Sequence, residues 1–463
     1  MRTPFITLMP ETTFLSLLRS SGIGANCYVI DTGMERIVLD AGMHPKVKGL
    51  DCLPELRLLE DGTADAIIIT HAHLDHIGAL PVLMRRHPGA QVFMSELTAE
   101  LGGAMLHNSC NVMMAQRDNE GVVEYPLFTH REVDAIERRW LKILPGKRFE
   151  VGNSGARGEF FEAGHLPGSV GVKLDLGGLR VFYSGDVHFE DQTLQLAAEF
   201  PDTDIDVLIM ECTRGAAQRA VDYSREREGR RLAQAIMETV DRGGSVLMPV
   251  FAVGKTQEML LLLHELRRTG HLSPRIPIHI GGLSSRMTQI IDKHSDTARR
   301  RHAGFKILDA MGGVIRAKKG ERDLSYAPGR IYAISSGMMS ENTASNDFAF
   351  RFIDNPKNSL LFVGYADPES PAGVLQNTPM GQPVKLHHAH SPVVRHCDIQ
   401  NFDFSGHAPR ESIVEYVKKV RPRKLLLIHG DDPAIAWTVS AMNAAVPDTE
   451  VVVPLPGKKL RLD

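Results

Sequence analysis

With 463 residues, 43% hydrophobic and 24% charged, and a formal net charge of −3, the chain has a soluble globular composition and exceeds one ordinary core, so two domains are expected. The charge does not single out a nucleic-acid binder, and no stretch approaches the roughly 20 apolar residues of a membrane span. Five scattered cysteines (Cys27, Cys52, Cys110, Cys212, Cys397) with no C-x-x-C pair suit reduced thiols in a cytoplasmic protein, and the start Met1-Arg2-Thr3-Pro4 leads into nothing resembling a signal-peptide core.

Residues 27–31 and 37–40 read as a hairpin around Thr32-Gly33. Asp40, before Ala41-Gly42, suits either a turn cap or a carboxylate standing behind a metal-binding histidine. The run 66–70 is short, β-branched and unbroken, which predicts a strand buried on both faces. The hexapeptide His71-Ala72-His73-Leu74-Asp75-His76 leaves its carboxyl end. In extended backbone, side chains two apart share a side, so His71 and His73 can grip one ion together. Asp75 and His76, where the chain turns into a helix over 77–84, point to a different place. Nitrogen and carboxylate ligands without thiolate suit zinc ahead of manganese or iron, and two ions on one loop would sit about 3.5–4 Å apart, an arrangement suited to hydrolysis. A strand over 91–94 and a helix over 95–105 continue the alternation of a layered α/β domain. His165 then follows a strand in a Gly/Pro-rich turn, and Val181-Phe182-Tyr183-Ser184-Gly185-Asp186 is another strand ending in a glycine and an acid.

Asp40, the 71–76 loop, His165 and Asp186 resemble, in order, the four motifs of the metallo-β-lactamase fold. Over nearly its whole length the chain is similar to the β-CASP branch of those hydrolases, nucleases that include ribonuclease J and the pre-mRNA 3′-end cleavage subunit. The resemblance implies an αββα sandwich with an inserted α/β β-CASP domain, divided as 1–210, 211–385 and 386–463. It implies two Zn2+ per chain, one held by His71, His73 and His165, the other by Asp75 and His76, with Asp186 bridging. It also places Asp75 in the catalytic set.

Glu211-Cys212-Thr213-Arg214-Gly215 ends the strand 206–210 and resembles the first β-CASP motif, commonly Glu-Ser-Thr-Tyr-Gly, with the glutamate kept. Residues 225–240 read as a helix with Leu232, Ile236 and Val240 on one face, and Arg225, Arg227, Arg230 and Arg231 are expected to be solvated rather than to clamp substrate. Gly254-Lys255-Thr256 imitates the end of a Walker A loop, but Pro249 stands where its first glycine is required, so ATP binding is rejected. The basic clusters Arg299-Arg300-Arg301-His302 and Arg316-Ala317-Lys318-Lys319 are read as solvated surface ahead of RNA contacts. Glycine-containing turns at strand ends can present N–H groups to phosphate, and Ser335, Ser336, Gly337 and Ser405 are the candidates. After Tyr365 the family's Glu-Gly-Thr is replaced by Ala366-Asp367-Pro368. Phe404-Ser405-Gly406-His407-Ala408 resembles the second β-CASP motif, and strand 425–428 runs into the third at His429. The resemblance makes His429 the remaining ligand of the second zinc and sets His407 beside Glu211 near the leaving group. His387, His388, His390 and His396 match nothing in the pattern and are read as ordinary residues.

The resemblance implies a zinc-dependent ribonuclease acting on single-stranded RNA to leave 5′-phosphate and 3′-hydroxyl ends, with His429, rather than Val, favouring RNA over DNA. Endonucleolytic cleavage is expected ahead of 5′-to-3′ exonuclease action. The compact ending at Asp463, with no added RNA-binding or dimerisation domain, resembles short members that cut internally, and the altered segment after Tyr365 weakens capture of a terminal phosphate. The rival is a small-molecule hydrolase on the same metal site, for which the insertion between Asp186 and His407 is superfluous. No membrane partner is expected, and a homodimer is allowed for.

Overall fold

The computed structural model describes residues 11–311, 314–316 and 325–463. The chain divides into two compact units, one made of residues through 190, 197–218 and 407–463, the other of 191–196 and 219–406.

In the first unit the described residues form two seven-stranded sheets. One runs, in spatial order, Lys459–Arg461, Thr13–Ser16, Tyr28–Asp31, Arg36–Leu39, Ala66–Ile68, Gln91–Met94 and Trp140–Lys142. It is antiparallel up to Arg36–Leu39 and parallel beyond. The other runs Glu450–Val452, Lys424–Ile428, Val207–Glu211, Leu179–Tyr183, Val170–Leu176, Ala156–Glu162 and Arg148–Val151, parallel over its first four strands. The unbroken β-branched run is explained by burial on both faces. Ala66 and Ile68 enter the core between the sheets, while Ile67 and Ile69 pack under the helices Leu80–Arg86 and Glu96–Glu120. Each such isoleucine contributes about 1.5–3 kcal/mol relative to exposure. The second sheet is covered on its outer face by Arg410–Val420 and Asp432–Ala445, through Ile413, Val417 and Met442. The unit is therefore the expected helix–sheet–sheet–helix sandwich.

The helix expected over 77–84 is two segments, Leu74–Ile77 and Leu80–Arg86. Gly78 and Ala79 lie between them, and close packing keeps 78 a glycine, since a Cβ there would lie 2.5 Å from the Leu74 carbonyl oxygen and 2.9 Å from Met43 Cβ. Asp75 and His76 consequently lie inside the first short turn, with His73 at its N-cap.

Six described strands of the second unit form a parallel sheet in the order Val314–Arg316, Ile278–Ile280, Ile331–Ile334, Val246–Pro249, Ser359–Phe362 and Asp398–Asn401, and Pro383–Val384 and Val393–Val394 form a separate antiparallel pair. Its helices include Arg225–Asp241, Lys255–Arg268 and Gly282–Lys293, and a core around Tyr332, Phe348 and Phe352 fills one side. Because Asp398–Asn401 pairs with Ser359–Phe362, the chain rejoins the first unit only at His407. Among the described residues, no helix is long and apolar enough to cross a membrane.

The segment after Arg36–Leu39 stitches the 71–76 loop to the sheet. Ala41 N–H donates to the His76 carbonyl (2.7 Å), Met43 N–H to that of Leu74 (2.8 Å), and Gly42 N–H to that of Asn26 (2.8 Å). A Cβ at Gly42 would lie 1.8 Å from the Asp75 carbonyl oxygen and 2.7 Å from Asn26 N, both backbone atoms. Gly42→Ala should therefore lower unfolding free energy by about 1–3 kcal/mol, the usual range for an overpacked site. Urea denaturation of the variant measures this, and an unchanged midpoint would show that the loop has slack the structure does not display.

Candidate metal centre

Every residue of the cluster stands at or just past the carboxyl end of a strand. The strand Ala66–Ile68 leads to His71, His73, Asp75 and His76, Ala156–Glu162 to His165, and Leu179–Tyr183 to Asp186. Glu211 closes Val207–Glu211 and pairs in register with Ile428, which puts His429 beside it. Asp40, Gly185 and His429 have φ values of 58°, 54° and 49°, and this left-handed turn swings each chain sharply at the strand end. For the two non-glycine residues that conformation costs of order 1–3 kcal/mol, which the surrounding hydrogen bonds must offset.

The structure brings all seven expected ligands together in the first unit. His71 Nε2 lies 3.2 Å from His73 Nδ1, and His165 Nε2 lies 3.3 Å from that same nitrogen. Asp186 Oδ2 is 3.6 Å from His71 Nε2 and 3.7 Å from His165 Nε2. Its other oxygen, Oδ1, faces His76 Nε2 and His429 Nδ1, each at 3.4 Å. Asp75 Oδ2 completes that side, 3.5 Å from His429 Nε2 and 3.8 Å from His76 Nε2. Two donors each about 2.0–2.2 Å from one tetrahedral zinc lie about 3.4 Å apart, so these separations, most of them longer than an ordinary hydrogen bond, fit ligands around a shared ion.

Two further observations fit a metal. Asp186 Oδ1 and His429 Nε2 are buried without a hydrogen-bond partner, which is costly unless a cation satisfies them. Charge is also uneven across the cluster. Burial, with its imidazole neighbours, holds His71 well below the usual histidine range. Burial opposes charge on His76 as well, but Asp186, Asp40 and Asp75 outweigh it and raise that group well above its ordinary value. Burial opposes the charged form of Asp186 too, yet the surrounding histidines hold its carboxyl well below the usual range. Three carboxylates around one imidazole call for positive charge, which metal binding supplies in exchange for a proton.

Asp40 is the acceptor behind the cluster. Its Oδ2 lies 2.7 Å from His76 Nδ1 and accepts from Tyr183 Oη–H at 2.6 Å, while Oδ1 accepts from Thr70 N–H at 2.8 Å. These bonds turn His76 Nε2 inward. Neither the Tyr183 hydroxyl nor Asn26, whose Nδ2 sits 3.1 Å from His76 Nε2, stands out in the sequence.

A second pair adjoins the first. His407 Nδ1 lies 3.0 and 3.1 Å from the two oxygens of Glu211, and its Nε2 faces Asp186 Oδ2 at 3.9 Å. Glu211 is fully buried and is held by the Val187 N–H (2.7 Å) and the Thr213 hydroxyl. That hydroxyl also contacts His429 Nδ1 at 2.9 Å. Burial opposes charge on His407, but Glu211 and Asp186 outweigh it and raise its basicity.

The remaining candidates lie in the second unit. Ser335, Ser336 and Gly337 follow Ile331–Ile334, where the carbonyls of Ser335 and Ser336 accept from Ser345 N–H (3.2 Å) and Oγ–H (2.7 Å). Ser405 precedes His407 by two positions. The helix arginines are paired with acids: Arg227 with Asp222 (2.6 Å), Arg231 with Glu228 (2.7 Å), Arg230 with Glu226 and Arg225 with Glu258. Arg300 is buried, unlike the solvated cation its cluster suggests, whereas Arg301 is exposed as expected while also donating to the Gln192 carbonyl (3.1 Å). Of the second cluster, Arg316 closes a strand and residues 317–319 lie outside the described residues.

Residues 21–214 match the metallo-beta-lactamase superfamily, 256–375 the Beta-Casp domain, and 392–454 the Zn-dependent metallo-hydrolase RNA specificity domain. The chain thus belongs to the β-CASP family of metallo-β-lactamase-fold, metal-dependent hydrolases. It is 27% identical over 441 residues to the Endoribonuclease YSH1 of Saccharomyces cerevisiae, covering 93% of this chain and 56% of that protein. It is 26% identical over 411 residues to an RNase J-like protein of Methanocaldococcus jannaschii, covering 88% of this chain and 90% of that one. The chain therefore spans little more than half the length of the endoribonucleases it matches. A protein of unknown function from Enterococcus faecalis shares the fold, with a TM-score of 0.57, 12% identity, and coverage of 97% of this chain and 100% of its own.

Removing the charge at Asp40 while keeping its shape should loosen His76. Asp40→Asn is expected to weaken metal retention about 10- to 100-fold, the usual effect of losing such a partner. Competition with a chromophoric chelator reads this, and unchanged retention would show that His76 does not depend on Asp40.

Proposed function

We propose that the chain is a two-zinc ribonuclease that cuts single-stranded RNA internally, leaving 5′-phosphate and 3′-hydroxyl ends. The observation that carries this reading is the division of Asp186, whose Oδ2 faces His71 and His165 while Oδ1 faces His76 and His429. His71, His73 and His165 would hold one zinc, Asp75, His76 and His429 the other, with Asp186 shared. Bound there, the pair would lower the pKa of a water to about 7 and neutralise phosphodiester oxygens.

The chain's own contribution to proton transfer lies in Glu211 and His407. Glu211 accepts at His407 Nδ1, which orients the ring and leaves Nε2–H facing the cluster, where it can protonate the leaving ribose oxygen. Thr213, bonded to Glu211 and against His429, keeps the two assemblies in register. RNA as substrate is supported by the RNA specificity match over 392–454 and by the names of the relatives. The second unit, with its own parallel sheet, argues against a small-molecule hydrolase, which has no use for it. Cytoplasmic action agrees with the five cysteines, all buried and unpaired with one another.

His407→Ala should lose about 10²- to 10⁴-fold in cleavage, the range of a general acid, while keeping its zinc. Glu211→Gln should resemble it, and the double variant should be little worse than either because the two act as a unit. Cleavage assays paired with elemental analysis measure both, and metal loss in His407→Ala would make that residue a ligand instead. Internal cutting is tested on circular single-stranded RNA, which should be degraded alongside a matched linear 5′-monophosphorylated strand. Degradation of the linear strand with the circle left intact would mean entry from an end.

A further inference from the structure

Away from this centre, the long helix Glu96–Glu120 and the helix His130–Glu137 face each other across a second group of imidazole and carboxylate side chains. His107 Nε2 is 3.3 Å from Asp134 Oδ1 and 3.9 Å from Glu137 Oε1. Its Nδ1 is 2.8 Å from His130 Nδ1, the two rings stack with centroids 5.1 Å apart, and His130 Nε2 reaches Asn111 Oδ1 at 3.1 Å.

Hydrogen bonding fixes what His107 presents. With the Asn111 oxygen accepting from His130 Nε2–H, His130 Nδ1 is an acceptor, and His107 Nδ1–H must be its donor. His107 Nε2 then carries a lone pair, and it is aimed at two carboxylates. Between His107 and Asp134 there is an ion-pair approach but no hydrogen bond, and at 3.3 Å it is longer than the 2.7–2.9 Å of a charge-assisted bond. It is instead close to the roughly 3.4 Å edge of a tetrahedron of ligands about 2.0–2.2 Å from one ion.

A glycine makes room for the third group. Gly103 lies one turn before His107 on the same helix face, and a Cβ there would lie 2.0 Å from Glu137 Oε1. The carboxylate rests against a bare Cα, and any side chain at 103 would push it out of the cluster. Asp134 and Glu137, three apart on their helix, present both acids to one point.

We propose that His107, Asp134 and Glu137 form a separate binding site for a divalent transition ion of the zinc type, with His130 and Asn111 fixing the His107 tautomer. One imidazole and two carboxylates suit zinc, and the exposed position of Asp134 leaves the fourth place to water. The ion would staple the two helices on the outer face of the first sheet. The site is independent of the catalytic reading, because none of its residues belongs to that cluster.

The test uses the full chain dialysed against micromolar Zn2+, then freed of loosely held ion and analysed for metal. Wild type should carry one more zinc per chain than His107→Gln and than Asp134→Asn, whatever number the catalytic centre holds. Asp134→Asn alters an exposed side chain, so its folding is secure, and matching circular dichroism controls for His107→Gln. Crystals at the zinc absorption edge should show anomalous density between His107 Nε2, Asp134 and Glu137. Equal zinc content in wild type and both variants, or no anomalous density at that point, would overturn the proposal. Loss of zinc from the catalytic centre alone would leave the difference between wild type and variants unchanged, so failure of the two readings is distinguishable.

Discussion

Three carboxylates, Asp40, Asp186 and Glu211, lie no more than 2% exposed at one end of the sandwich, and the architecture there answers the cost of keeping charge away from water. Burying an ion costs several kcal/mol unless fixed donors replace the lost hydration. Asp40 and Glu211 have their own donors, Thr70, Tyr183 and His76 for the first and Val187, Thr213 and His407 for the second, whereas Asp186 is ringed by five imidazoles with its Oδ1 left for a cation. The donors come from strand ends in both sheets, so the cluster exists only while the sheets are packed together. Stability and site geometry are thus the same property at this end of the unit.

How much of this was legible in the sequence follows from how local the signals are. The strand before the hexapeptide, the sandwich class and the crowding of histidines and acids at strand ends are carried by short stretches, and these were readable. Asp40 was readable only as one of two alternatives. Its role depends on Tyr183, 143 positions away, and no local pattern reports such a pairing. The same holds for Asn26 against His76 and for Thr213 against His429. Of the basic runs, Arg300 departs from the reading because it is buried, and long cationic stems serve packing as well as solvation. Arg227, Arg230 and Arg231 are exposed as expected, each paired with a nearby acid, while Arg225 is largely covered and reaches Glu258. The His107 group was silent for a further reason, since its histidines sit 23 positions apart on two helices.

Glu211 and His407 flank the second unit in the chain, 196 positions apart, yet their side chains touch. A flexible loop of that length would cost about 5 kcal/mol to close. The second unit avoids most of that cost by tying its own two ends. Arg219 lies 3.6 Å from Asp403, and the Tyr223 hydroxyl donates to the Asp403 carbonyl at 2.9 Å.

That closure sets an order of assembly on the ribosome. When residues through 211 have emerged, the second sheet still lacks Lys424–Ile428 and Glu450–Val452, so Val207–Glu211 is a bare edge at the middle of a future core. The contiguous stretch 219–406 carries its own hydrophobic core and can fold while that edge waits. Only when residues 407–461 follow does the sandwich close, and with it the half of the cluster that depends on His429. A nascent chain paused between the two stages would hold a finished insert beside an unfinished sheet, the state in which this protein is most open to aggregation and to chaperones.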